Sequence, residues 1–316
     1  MMLHPLVSII IPVFNGANYL KEAIDSALAQ TYQNIEILVV NDGSNDNGAT
    51  ECIALSYGDK IRYFAKENGG VSTALNMGIE NMKGEYFSWL SHDDVYTPDK
   101  IASHIAMLNE ENKDSIFVCG SAFIDKDSKP FPKKSRPLPS GYYPYDKMLS
   151  VAFRRRLPGG CRLLIPKKHF DRFGLFNESL RFMQDTEMWY RFLTGKISFI
   201  LHPDNLGVLS RIHNEQVTVT KKHLYRQDLQ AVGPALVKRL VSLPEKNFSL
   251  LKEYMYLCCR ENNVSTANLA YAILHERKHL SLASVCKFWI LRLYGVVRPL
   301  LVKIYYFLLM GIKIKK

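Results

Sequence analysis

Along the first 125 residues the hydrophobic pattern alternates between continuous β-branched runs and helical spacing. Val7–Val13 is apolar and ends at Asn15-Gly16, which predicts a buried strand followed by a turn. Asn18–Gln30 carries Leu20, Ile24 and Ala27/Leu28 at helical intervals, and Ile35–Val40 predicts a second buried strand ending at Asn41-Asp42-Gly43-Ser44. A helix over about 47–56, a strand at Ile61–Phe64, a helix at Val71–Met82 and a strand at Glu85–Leu90 follow. That last strand runs into Ser91-His92-Asp93-Asp94, and Thr97-Pro98 opens another helix with proline in its first turn. The rhythm is that of a parallel sheet covered on both faces, with a site expected where the strands end.

Between Lys126 and Pro158 the chain turns rich in Pro, Lys, Tyr and Arg, a loop excursion with one short helix near Tyr145–Phe153. Cys161–Ile165, Ile197–Ile200 and Leu206–Ile212 predict strands, and Gln184–Leu193 a helix. From about Glu215 onward nearly everything reads as helix, broken near Pro234, Pro244 and Pro299. The expected architecture is therefore α/β. A single Rossmann-like, mostly parallel sheet domain with helices on both faces spans 1–220, and a helical C-terminal region with a basic apolar tail spans 221–316.

Composition narrows the function classes. Hydrophobic residues at 47% and charged residues at 22% are the balance of a folded globular chain. Six scattered cysteines lack zinc or disulfide spacing, which points to a reducing, cytoplasmic setting. Residues 1–125 carry 7 Lys and Arg against 17 Asp and Glu, whereas residues 273–316 carry 9 against 1. An acidic site half argues against a nucleic-acid partner, while a basic apolar tail points to an anionic membrane surface. No uncharged run reaches the roughly 18 residues of a spanning helix, and the apolar start lacks the basic residues of a signal peptide.

The first candidate chemistry lies in two runs. Val7-Ser8-Ile9-Ile10-Ile11-Pro12-Val13-Phe14-Asn15 and Asn41-Asp42-Gly43-Ser44 end adjacent parallel strands in polar turns, making a crevice for a planar base. Asp42 would accept from an N–H of that base, with Pro12 and Phe14 framing it. Taken singly, Asn15 and Asp42 read equally well as Asx turns. Asp93-Asp94 offers two adjacent carboxylates on a turn, which suit Mg²⁺ or Mn²⁺ or, alternatively, cap the next helix. Asn68-Gly69-Gly70 before a helix lets backbone approach an anionic phosphate, though a simple loop reads the same way.

These runs, with Ala27-Leu28-Ala29-Gln30-Thr31-Tyr32 and Gly84-Glu85-Tyr86, resemble the family 2 glycosyltransferases of the GT-A fold over roughly residues 5–215. The resemblance implies a nucleoside-diphosphate-sugar donor, usually UDP-linked, a divalent metal, and inversion at the anomeric carbon. It makes 1–125 the donor-binding part and 126–220 the acceptor side. It places Pro12, Phe14, Asn15, Asp42, Gly70, Asp93 and Arg211 on the donor, and Asp94 and His213 on the metal. Ser91 stands where the family often has an aspartate, a departure at the first position of the acidic turn.

Gln184-Asp185-Thr186-Glu187-Met188-Trp189 carries the candidate base. An inverting transfer needs one carboxylate to take the acceptor hydroxyl's proton, and the resemblance puts it on Asp185; the alternative is an acid favoured at a helix start. Arg211 and His213 alternate along a strand, so both would face the diphosphate, unless His213 is structural. Arg154-Arg155-Arg156 reads as a phosphate site on a lipid-linked acceptor or as a solvated basic face. In the tail, 280–316, aromatic and aliphatic residues are interrupted by Lys287, Arg292, Arg298 and Lys303, a pattern that fits a membrane interface or helix packing. The whole reads as a metal-dependent, membrane-associated transferase acting on a glycan or lipid-linked acceptor, probed against two other classes. One is a catalytically inactive nucleotide-sugar or glycan-binding module. The other is a sugar-phosphate nucleotidyltransferase, which Phe14-Asn15-Gly16-Ala17 disfavours because that class wants a Gly-rich, Arg-bearing first loop.

Overall fold

The structure, a computed structural model, describes residues 4–132, 138–155, 157–213, 222–295 and 297. Strand β1 (Val7–Val13) is buried along its whole length, as its unbroken apolar run requires. It pairs in parallel with β2 (Ile35–Asp42) on one side and β4 (Tyr86–Trp89) on the other, and β3 (Arg62–Lys66) extends the sheet beyond β2. Helices α1 (Leu20–Leu28), α2 (Ala49–Leu55) and α3 (Val71–Asn81) make the crossovers, close to the predicted spans. Strand order therefore reverses at β1, and the turns after β1, β2 and β4 meet at one carboxyl edge.

The second half of the sheet is mixed rather than parallel. β5 (Val95–Tyr96), β6 (Ile116–Ile124), β7 (Gly141–Tyr143), β8 (Leu163–Pro166) and β9 (Phe199–Arg211) complete the order β3-β2-β1-β4-β8-β6-β9-β5, with β7 on β9. β8 is antiparallel to both β4 and β6, and β9 is parallel to β6 but antiparallel to β5 and β7. The two strands expected at 197–200 and 206–212 are one 13-residue strand. Its pairing with β6 jumps from His202 opposite Cys119 to Leu206 opposite Gly120, so Pro203-Asp204-Asn205 bulges out. Gly120 is obligatory there, because a Cβ would lie 2.0 Å from the Pro203 carbonyl oxygen. Helices α4 (Lys100–Ala106), α5 (Tyr145–Arg154), α6 (Lys168–Phe173) and α7 (Gln184–Thr194) lie between these strands in the sequence.

The chain forms two compact units, 1–148 with 157–225, and 149–156 with 226–316. The first holds the sheet. The second holds helices Lys222–Val241 (from Arg226), Phe248–Arg260 and Val264–Glu276, and a further helix over 282–295. Within it, Phe153 packs on Tyr254 with ring centroids 5.1 Å apart, and Arg154 pairs with Glu253 at 2.5 Å. Arg154 thus serves helix packing, and Arg156 lies outside the described residues. Pro234 does not break its helix as the sequence predicted but sits inside it, where flanking turns carry the segment past one missing N–H donor. Pro299 lies outside the described residues.

Candidate active site

Asp42, the last residue of β2, is 3% exposed and its carboxylate is already engaged. Oδ1 accepts from Gly69 N at 3.0 Å and pairs with Lys66 Nζ at 2.8 Å; Oδ2 accepts from Gly70 N at 2.7 Å. Asp42 therefore supplies the negative charge at the start of α3, across two strand ends, and fixes the glycine loop. Gly70 is in the left-handed region with φ +94°, and a Cβ there would meet Arg181 Nη1, which itself donates to Gly69 O. Asn15, with φ 50°, is a clamp between turns: its Nδ2 donates to Asn45 Oδ1 at 2.7 Å and its Oδ1 accepts from Asn45 N at 2.8 Å. Neither side chain makes the local Asx turn open to it in the sequence: each binds backbone across to another turn, and the local bond belongs to Asn41, whose Oδ1 accepts from Ser44 N at 2.9 Å.

The acidic turn follows β4, and its two aspartates occupy different environments. Asp93 Oδ2 lies 3.0 Å from His213 Nε2. Asp94 is buried, accepts from Arg211 N at 2.9 Å, and contacts the Cys161 thiol. Burial first, and the adjacent Asp93 charge second, push the Asp94 carboxyl up to about 7; the Arg211 and Cys161 contacts oppose this. The carboxylate beside His213 is therefore Asp93, not Asp94, the residue the sequence paired with it. The reason is register: β9 ends with the Arg211 N–H on Asp94 and His213 two residues further on, beside Asp93.

Arg211 departs further from expectation. Its side chain is fully buried, and its guanidinium donates to Asp93 O at 2.8 Å, Asp125 O at 3.0 Å and Ser128 Oγ at 2.9 Å. It also pairs with Glu22 Oε2 at 2.5 Å and stacks 4.3 Å from the Tyr19 ring centroid. A group so enclosed positions the acidic turn from behind and does not face a diphosphate. His92 is likewise packed, against the Gly16 turn, and burial depresses its pKa.

Asp185 sits in the first turn of α7, part-exposed, with Oδ1 accepting from Thr186 N at 2.5 Å and Thr186 Oγ1 at 3.1 Å. Burial raises its pKa and the Thr186 contacts oppose the rise. Glu187 is committed elsewhere, to Arg191 at 2.9 Å, and Arg191 in turn caps Phe173 O and Leu175 O. Among the described residues, Asp185 is thus the carboxylate of this segment that forms no ion pair.

Sequence reasoning did not anticipate the contacts of buried Cys161. Its sulfur accepts from Ser91 N at 3.4 Å, lies 3.2 Å from Ser91 Oγ and contacts Asp94, so it ties the acidic turn to the 3₁₀ turn Gly160–Arg162. Gly160 permits this approach, since a Cβ would lie 2.1 Å from the Trp89 ring. Lys66 and Glu22 were missed too, because nothing local marks either. Among the described residues no group of three or more His, Cys, Asp or Glu is placed to hold a metal, so the acidic turn offers two protein ligands at most, Asp93 and His213.

A parallel β-α-β half whose strand ends carry carboxylates, closed by a mixed half that returns a histidine to them, defines a GT-A-type sugar-transfer fold. The Glycosyl transferase family 2 model matches residues 8–191, and the chain belongs to that family. An uncharacterized glycosyltransferase of Rickettsia felis is 54% identical over 216 residues, 67% of this chain but 35% of the relative, so the match spans about a third of that protein. One from Rickettsia typhi is 51% identical over 75% of this chain and 73% of its own length. Chondroitin synthase of Pasteurella multocida is 41% identical over 117 residues, 36% of this chain and 12% of the synthase. Staphylococcus aureus TarS 1–349 in complex with UDP shares the fold, with a TM-score of 0.64 at 15% identity over 81% of this chain and 71% of that one.

Proposed function

We propose that this glycosyltransferase moves a sugar from a UDP-linked donor to a hydroxyl of a glycan or lipid-linked acceptor, with inversion, in the synthesis of a bacterial surface polysaccharide. The observation that carries the reading is the Asp93–His213 pair at 3.0 Å with buried Asp94 behind it, at the edge where β1, β2 and β4 end. The TarS complex with UDP and the chondroitin synthase match support the donor and product classes. The base would lie between the Phe14 turn and the Asp42–Gly70 loop.

The Asp93 carboxylate and the His213 imidazole fit a hard divalent cation such as Mg²⁺ or Mn²⁺, with Asp94 buried behind them. Asp93 and His213 would hold the ion, which would neutralise the leaving diphosphate. Asp185 takes the acceptor hydroxyl's proton as the oxygen attacks the anomeric carbon from the face opposite the diphosphate. Its elevated pKa keeps it a stronger base than an ordinary carboxylate. A lipid-linked acceptor places the enzyme at the inner face of the cell membrane, and the basic, apolar tail supports that placement.

The test is a panel of nucleotide sugars with Mn²⁺, scored for donor hydrolysis and transfer by wild type and Asp185→Asn. Transfer with one donor and its loss in the variant is the expected result. Folded protein that binds UDP yet turns over no donor would leave the inactive binding module as the better account.

A further inference from the structure

The helix over 282–295 carries an apolar stripe that is exposed among the described residues. Leu282, Cys286, Trp289, Ile290, Leu293 and Tyr294 recur at i, i+4, i+7, i+8, i+11 and i+12, one face of a helix, and all are exposed. Leu282 is 81% exposed and Ile290 and Leu293 are each 66% exposed, values far above those of the core. The opposite face is docked. Phe288 is buried and stacks on Tyr271 with centroids 4.4 Å apart, and Gly295 sits so close to the Cys259 carbonyl that a Cβ would lie 2.1 Å from its oxygen. The exposed stripe is therefore the outer face of a helix with a fixed seat, not a helix displaced from a core.

Charge identifies what the stripe fits. Lys287 and Arg292 lie on opposite flanks of the stripe by helical angle, each with its charged head near an aromatic ring, and Arg292 Nη1 also donates to Asn268 Oδ1 at 2.8 Å. Lys287 Nζ is 4.7 Å from the Tyr256 centroid and Arg292 Cζ 5.4 Å from that of Trp289. From Arg277 to Lys316 the sequence holds no Asp or Glu. An apolar stripe with Trp and Tyr, bordered by cations and free of anions, matches the boundary between lipid headgroups and acyl chains. No helix among the described residues is long and apolar enough to cross a membrane.

We propose that this face lies flat in an anionic lipid surface, with Trp289, Ile290 and Leu293 among the acyl chains and Lys287 and Arg292 at the headgroups. It sharpens the membrane-face part of the function proposed above and rests on that part alone. Residues 298–316 lie outside the described residues, and the stripe is defined without them.

The experiment sediments the full chain with vesicles of phosphatidylcholine alone and with phosphatidylcholine–phosphatidylglycerol mixtures, for wild type and Ile290→Glu/Leu293→Glu. Both side chains are exposed, so the double variant removes no core contact. The expected result is binding to the mixed vesicles, weakened by salt, and at least about tenfold weaker in the double variant. Equal binding by the variant overturns the proposal, as does wild type that stays in the supernatant with both vesicle types. A wild-type dimer in sedimentation velocity that the variant dissociates, without vesicle binding, overturns it in favour of a contact between copies. Transfer to a soluble acceptor, assayed on the same samples, reads the catalytic proposal separately: vesicle binding without transfer removes only the activity.

Discussion

Replacing Asp94 by Asn should stabilise the metal-free protein at pH 8, and by clearly less at pH 5. Asp94 is 9% exposed, and its carboxyl is pushed up to about 7 from 3.8 by burial and by Asp93. Because the folded pKa lies above the unfolded one, the folded state holds a proton that the unfolded state has lost between those values. The penalty is absent below about pH 4, grows as pH rises through the window, and is complete above about pH 7. At about 1.4 kcal/mol per pKa unit, three units set a ceiling of about 4 kcal/mol. Local relaxation around the buried carboxylate lowers the penalty, so about 2 kcal/mol is the working figure. Asn keeps an oxygen for the Arg211 N–H and carries no charge. For a unit of this size about 2 kcal/mol corresponds to a rise in Tm of roughly 4–8 °C. Thermal unfolding in EDTA at pH 5 and pH 8 measures it. A Tm difference that is the same at both pH values would refute the argument, because a buried titrating carboxylate cannot contribute equally on both sides of its own pKa.

Four further outcomes follow from the geometry. Asp185→Asn should lower transfer by about 10²–10⁴-fold while UDP-sugar binding, read by calorimetry, is retained; a loss under tenfold would remove Asp185 as the base. The wild-type rate should rise with pH through an acid limb above the usual carboxylate range, because burial raises the Asp185 pKa and the base acts deprotonated; a limb at or below 3.8 counts against it. Arg211→Met should cost about 3 kcal/mol or more in stability, since it strands Glu22 and several carbonyls, and an unchanged Tm with a raised donor KM would return Arg211 to the diphosphate. Gly70→Ala should weaken UDP binding and cost about 1–3 kcal/mol through its φ of +94° and the Arg181 contact, with thermal shift and calorimetry as the readouts.

What the sequence revealed followed the range of the interactions. The β1 and β2 runs, the turns after them and the first helices were legible because a buried strand and an amphipathic helix write their periods locally. Asp42, Asp93, Asp94 and Asp185 were found for the same reason, each closing or opening an element. The inward course of Arg211 was not legible, since alternation says which side a residue faces but not that Glu22, 189 residues away, waits there. Cys161 on the acidic turn is another distant pairing, across 70 residues. β5 is two residues long, below any periodic signal, whereas the apolar run Ile116–Cys119 was an available sign of β6. Pro234 kept its helix because packing of the surrounding turns outweighs one lost bond.

The end of β9 has a fixed phase, because Val208–Arg211 is held in register by β6 on one side and by β5 on the other. Side chains along a strand change face at every residue, so the count from Val208 to the end of β9 decides which of Ile212 and His213 meets Asp93. The bulge at Pro203–Asn205 lies ahead of that stretch and takes up slack without altering it. Deleting one residue between Val208 and Arg211 would turn Ile212 toward the acidic turn and His213 away, with every other side chain still in the sequence.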